Sequence, residues 1–243
     1  TITIDNPGTP AQMNDFRKDG AAGHFLIYGS ALAFGDTTWA TAQDYFNANR
    51  GFFGGWAGPS LWPSDMDIYA RVGTPPTPGV NGSHYDMIHQ SPYSSGIAHE
   101  VDNTYWVNDG DTRSLSKVEF NAGHEPGGAD HSDGKVYRYV DVPYNMNAGI
   151  PAHMIIVGNW LYYVNPGTKS VNRLDITTGT KGNSLQSTAN GGEQLAEFVE
   201  MNGGTWEEFL TEGLESPSGI DIMGDYMIVS DNANGDILLY NIY

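Results

Sequence analysis

An all-β fold made of repeated small sheets, set around an axis as the blades of a propeller, is what this chain predicts, on three observations. A short phrase of small and apolar residues recurs four times, each copy is followed by two further apolar runs in fixed order, and Gly, Asn, Asp and Pro fill the intervals. Fixed-order self-similarity marks a repeat architecture, and short runs rich in Val, Ile, Tyr and Trp between turn residues are strands rather than helices.

The phrase reads Ser30-Ala31-Leu32-Ala33-Phe34, Ser95-Gly96-Ile97-Ala98-His99, Ala152-His153-Met154-Ile155-Ile156 and Ser218-Gly219-Ile220-Asp221-Ile222. The second runs are Thr38-Trp39-Ala40-Thr41, Tyr105-Trp106-Val107-Asn108-Asp109, Tyr162-Tyr163-Val164-Asn165 and Met227-Ile228-Val229-Ser230-Asp231. The third runs are Asp67-Ile68-Tyr69-Ala70, Lys117-Val118-Glu119-Phe120, Asn172-Arg173-Leu174-Asp175 and Asp236-Ile237-Leu238-Leu239-Tyr240. An outer strand follows in two units, at 135–140 and 194–199, so the unit is a four-stranded antiparallel blade. One blade cannot bury both of its faces alone, which calls for blades packed side by side.

The copies are spaced more widely than the roughly 40–50 residues of a typical blade, so loops carry insertions. Four repeats are detected. The Gly- and Pro-rich stretches at 45–65 and 177–215 leave room for four to six blades in one domain covering 1–243. The last unit runs to Tyr243 just after its third strand, and residues 1–4 alternate like a strand without a local partner. The N-terminal strand is therefore expected to complete the C-terminal blade and close the ring, removing two exposed sheet edges.

Composition bounds the function. The 243 residues contain no cysteine, which excludes disulfides, thiolate catalysis and Cys-ligated zinc. Eleven basic against 29 acidic residues give a formal charge of −18, which disfavours nucleic acid and anionic membranes as partners and favours cations. No apolar stretch is long enough to span a bilayer, so no membrane insertion is expected. Acidity, low Lys content, Gly-rich loops and a start at Thr1 suit the mature form of an extracytoplasmic protein, secreted or periplasmic, from which a signal peptide has been removed.

In a chain without cysteine, the seven histidines are the obvious ligands for a transition metal such as Cu or Zn. His24 and His89 each lie six residues before a copy of the phrase, at Ser30 and Ser95. His153 stands inside the third copy where the other units carry Ala31, Gly96 and Gly219, on the strand expected to line the axis. A bulky polar ring in place of a small residue costs packing and asks for a reason. His99 takes the last position of the phrase, where it either ligates or packs as a core histidine beside Glu100 or Asp102. A transition-metal site of His24, His89, His99 and His153 at the axial mouth is the expectation. Segment 83–90 adds His84 and Met87 beside His89, either as further ligands or as an incidental outer strand.

A second cluster occupies 123–134, between the third and fourth strands of the second unit. His124, His131, Asp130 and Asp133 sit there among glycines, so the backbone can fold tightly around one cation, calcium or a mixed site. A solvated hairpin with Asp-Gly turn chemistry is the alternative.

The pattern Pro217-Ser218-Gly219-Ile220-Asp221, Tyr226-Met227-Ile228-Val229-Ser230-Asp231 and Gly235-Asp236-Ile237-Leu238-Leu239-Tyr240 resembles an NHL-type propeller repeat. Ile150-Pro151-Ala152-His153-Met154, with Trp160-Leu161-Tyr162-Tyr163-Val164-Asn165 and Val171-Asn172-Arg173-Leu174-Asp175, resembles another. The resemblance covers residues 90–243 and implies a binding scaffold. In the peptidylglycine amidating lyase type it implies a histidine-bound axial zinc with a structural calcium, and His153 is similar to one such ligand. Activity does not transfer with fold.

Three functions follow. The first is an exported propeller that binds a metal ion and acts as a binding module. The second is a metal-dependent lyase or hydrolase, with Asp221, Asp109 or Asp231 as base. The third is a protein-, peptide- or glycan-interaction module with only structural calcium, using Trp56 and Trp62 of the Gly- and Pro-rich insertion as an exposed lip.

Overall fold

The computed structural model describes residues 2–48, 54–72, 81–187 and 192–242. A hairpin of β1 (Ile2–Asp5) and β2 (Met13–Phe16) leads into one helical turn, α1 (Ala22–Phe25). Four antiparallel blades in a propeller arrangement follow. The first holds β3 (Gly29–Phe34), β4 (Thr38–Gln43), β5 (Ser60–Pro63) and β6 (Asp86–Met87), and the second β7 (Ile97–Val101), β8 (Thr104–Asp109), β9 (Ser114–Glu119) and β10 (Lys135–Tyr139). The third blade starts with β11 (Met154–Val157), β12 (Trp160–Asn165) and β13 (Ser170–Asp175). The chain then runs back along the second blade as β14 (Thr180–Ser184) and β15 (Glu197–Asn202) before β16 (Trp206–Leu210) completes the third. The last blade is β17 (Pro217–Met223), β18 (Tyr226–Asp231) and β19 (Asp236–Asn241). The innermost strands pack in succession, β3 on β7, β7 on β11 and β11 on β17.

Local chemistry explains why the repeat folds alike each time. The turns between first and second strands place Asp102, Gly158 and Gly224 at φ of +48°, +60° and +58°. The turns before the third strands place Arg113, Lys169 and Gly235 at +57°, +57° and +72°. Each second strand ends in a buried amide or carboxylate, Gln43, Asp109, Asn165 or Asp231. Asp109 accepts from the N–H groups of Asp111 and Thr112, and Asp231 from those of Glu215, Ser216 and Ala233. Polar groups buried in this way fix the turn and satisfy its backbone donors.

The small residues of the phrase let blades converge. A Cβ on Gly96 would lie 1.9 Å from the Ala152 carbonyl oxygen, and Asn108 bridges the same junction by accepting from the N–H groups of Ser95 and Gly96 while donating to that carbonyl. Trp106, Leu161, Tyr163, Val164, Met227 and Val229 are buried in the core shared by the second to fourth blades. Trp39, Trp62, Tyr69 and Phe25 fill a separate core on the other face of the first blade.

Several expectations are corrected. Ile2–Asp5 pairs with Met13–Phe16, not with the C-terminal blade, because a strand finds its nearest antiparallel partner through a short turn. Among the described residues the last blade keeps three strands. Residues 67–70 form turns, and the third strand of the first blade is Ser60–Pro63. Strand β15, expected to end the third blade, instead runs parallel to β10 and widens the second. Trp62 is fully buried, its indole N–H donating to Thr41 Oγ1, so it forms no exposed lip, and Trp56 is half-buried. Phe34, the last residue of the first copy of the phrase, is 69% exposed.

Candidate metal centre

Five of the seven histidines gather at the outer rim where the first blade meets the second. His84 and His89 flank β6, His124 and His131 lie on the β9–β10 loop, and His24 lies in α1. The loop is zipped to the β6 segment by backbone hydrogen bonds. Asn81 donates to the Gly127 carbonyl, Gly127 to that of His84, and His124 to that of Tyr85. Gly127 sits at φ +77°, a conformation that suits glycine, and a Cβ on Gly128 would come within 2.7 Å of His124 Nδ1. Asp19 ties the other wall in place, accepting from the Ala21 N–H and from the N–H and hydroxyl of Ser83. The Phe25 ring stacks on His84 at 3.8 Å between centroids.

The ligand nitrogens of His84, His124 and His131 lie within 4.8 Å of one another, the one such group of three His, Asp or Glu side chains among the described residues. Their ring centroids are 4.9 Å (His84–His124), 5.3 Å (His124–His131) and 6.0 Å (His84–His131) apart. His84 Nδ1 lies 2.8 Å from the Asn81 carbonyl and His124 Nδ1 2.6 Å from that of Glu125. A carbonyl only accepts, so each ring carries its proton on Nδ1 and turns a lone pair out at Nε2. The Nε2 atoms of His84 and His124 are buried with no hydrogen-bond partner. His131 Nδ1 lies 2.6 Å from Asp86 Oδ1 and 3.2 Å from the Met87 nitrogen, and the shorter contact to a carboxylate, which accepts, puts the proton on Nδ1. Rings held at Nδ1 by a carbonyl or carboxylate and free at Nε2 are the arrangement that orients histidine ligands on a metal. Three nitrogens this close fit a shell about 2.0–2.1 Å from zinc after side-chain shifts on the order of 1 Å.

The electrostatics treat His84 and His131 differently. Burial, reinforced by His124, pulls the His84 imidazole down to about 3, so it is uncharged at neutral pH. Burial pulls on His131 as well, but its hydrogen bond to Asp86 and the carboxylates of Asp86, Glu193 and Asp130 outweigh it and raise the imidazole.

Of the four axial-mouth candidates, His24 and His89 reach this rim, with rings 5.8 Å apart and His89 6.2 Å from His131. His99 and His153 do not join them. His99 is half-buried, and its Nε2 lies 2.9 Å from the Asp102 carbonyl in an exposed local contact. His153 lines a hollow of about 430 Å³ with Ser30, Ala31 and Leu32 of an inner strand. His124 and His131 of the second cluster join the rim group. Asp130 instead accepts from the Ser132 N–H and hydroxyl, and Asp133 from the Ala122 N–H, both within the loop. Segment 83–90 had offered His84 as a ligand; what spacing did not show was that it would meet the 123–134 loop.

No family model and no curated protein matches this chain. Among solved structures, it is similar to one titled "Streptogramin B lyase structure", with 14% identity and a TM-score of 0.37 over 100% of this chain and 73% of the other. The blade arrangement rests on the strand pairing described above. No helix among the described residues is long and apolar enough to cross a membrane.

Proposed function

We propose that the protein is an exported, NHL-type propeller that binds one transition-metal ion, Zn or Cu, through Nε2 of His84, His124 and His131, and serves as a binding module. The observation that carries this is the pair of buried, unpartnered Nε2 atoms of His84 and His124, on rings whose Nδ1 atoms are already held, with His131 close beside them and held at its own Nδ1. Buried imidazole nitrogens without a protein partner are desolvated without compensation, a cost that a bound cation removes. The acidic chain, with formal charge −18, attracts cations over a long range.

Plasma mass spectrometry on protein purified without affinity metals tests the reading. Near-stoichiometric Zn or Cu is expected in the parent and in a His153→Ala variant, with loss in His124→Ala. Metal that survives His124→Ala but leaves with His153→Ala would return the site to the axis. Calcium alone would favour an interaction module with a structural ion in the 123–134 loop.

A metal-dependent lyase or hydrolase is the second reading. It is favoured by a hollow of about 280 Å³ that His131 and His89 share with Trp56, Asp130 and Glu193, large enough for a small polar molecule beside the ion.

A further inference from the structure

The three-histidine group uses His84, His124 and His131, yet the same basin holds two more imidazoles that are built like ligands. His89 is 5% exposed, and its Nδ1 lies 2.8 Å from Glu193 Oε1. Glu193 is fully engaged, since its two oxygens also receive the His89 backbone N–H at 3.1 and 2.9 Å and the Gln90 amide at 2.8 Å. It therefore acts as an orienting group, leaving His89 Nε2, which is buried and has no partner. His24 repeats the device, with Nδ1 held 2.9 Å from the Ala48 carbonyl.

Five Nε2 donors exceed the four that a tetrahedral ion takes. The rings also fall into two sets by position. His84, His124 and His131 form the close group, while His24 and His89 come from α1 and from the residues after β6, on the Trp56 side, where the Trp56 and His89 rings are 4.9 Å apart. The carboxylates of Asp86, Glu193 and Asp130 act on His131, and Glu193 also holds His89, so negative charge lies beside a ring of each set.

We propose that the basin is a two-ion centre, in which His24 and His89 hold a second late first-row transition-metal ion beside the one at His84, His124 and His131. The inference rests on the reading of this basin as a metal centre. Imidazole is a ligand suited to Zn, Cu and Ni. Two protein ligands leave coordination positions for water or a small anionic molecule, and His89 lines the hollow of about 280 Å³ through which such a molecule would reach the ion.

Titration of the metal-stripped full chain with Zn(II) by calorimetry, with bound metal counted after gel filtration, is the test. Two equivalents are expected in the parent and one in the His24→Ala/His89→Ala double variant, with the remaining affinity within threefold of the parent's tighter site. His124→Ala should weaken the other equivalent by tenfold or more. One equivalent in the parent, untouched by the double variant, overturns the second ion and leaves the three-histidine site standing. One equivalent that the double variant abolishes also overturns it, because both rings would then belong to a single shell. No binding in the parent removes the whole centre. The parent's stoichiometry decides the main point even if the double variant does not fold.

Discussion

The third and fourth blades and the first two divide the work of this molecule between them. The C-terminal half is the more regular: short turns join the first three strands of each blade over a core of Leu161, Tyr163, Val164, Met227 and Val229, with one excursion, β14–β15, along the second blade. The N-terminal half carries long insertions, a hairpin and a helical turn outside the blades, and a polar interior in which His84, Asp86, His89, Gln90 and Ser91 are all buried. Buried polar groups are costly unless paired or functional. Regularity builds the frame, and irregularity at its rim collects the chemistry.

The contrast can be broken most severely by truncation in the frame. Tyr163→Ala should cost about 3–5 kcal/mol, as loss of a fully buried aromatic does, while His124→Ala should leave the stability of the metal-free chain within about 1 kcal/mol. Urea unfolding followed by tryptophan fluorescence compares the two, and equal losses would erase the distinction.

Acid should strike the rim first. His24 and His84 titrate at 6.5 when unfolded but are pulled down by burial to about 4 and about 3 in the fold. The unfolded chain therefore binds more protons below pH 6.5, so their contribution is full above that pH and is lost as pH falls towards 4 and then 3. His131, raised by its Asp86 bond and nearby carboxylates against the pull of burial, contributes with the opposite sign, fully below 6.5 and less as pH rises through its folded value. Net loss of a few kcal/mol between pH 6.5 and 4 is expected in the metal-free protein. Denaturant midpoints across that range check it, and His84→Phe should flatten the profile.

At the junction of the two halves, Gly96→Ala should cost about 1–3 kcal/mol, since the new methyl group meets the Ala152 carbonyl and the blades must separate. Calorimetric melting reads this directly. The smallest effect is a gain. Arg113 is exposed and at φ +57°, where a side chain is strained, so Arg113→Gly should add about 0.5–1 kcal/mol, seen as a modest rise in melting temperature.

Legibility in the sequence follows the same division. Strands β7–β13 and β17–β19 stand close to where the repeated runs place them, because turns such as Val157-Gly158-Asn159 are local and written in neighbouring residues. Strand β5 hides in the Gly- and Pro-rich insertion, where Pro59 and Pro63 read as loop, while Asp67-Ile68-Tyr69-Ala70 looks like a strand and turns instead. The parallel pairing of β15 on β10 joins residues some sixty positions apart, which no local pattern records. The same holds for the histidines. Segments 83–90 and 123–134 each show their ligands, but the Asn81, Gly127, His84 and His124 backbone contacts that bring them together are tertiary. Repeat equivalence placed His24 and His89 at matching positions and pointed them to the axis; the insertions carry them to the rim.

X-ray absorption at the zinc edge of the stoichiometrically loaded protein tests the rim site most directly. The expected result is a first shell of nitrogen at about 2.0–2.1 Å with the outer-shell scattering of about three imidazoles, reduced by one in His124→Ala. An all-oxygen shell without imidazole scattering, or a spectrum that His124→Ala leaves unchanged, would contradict it.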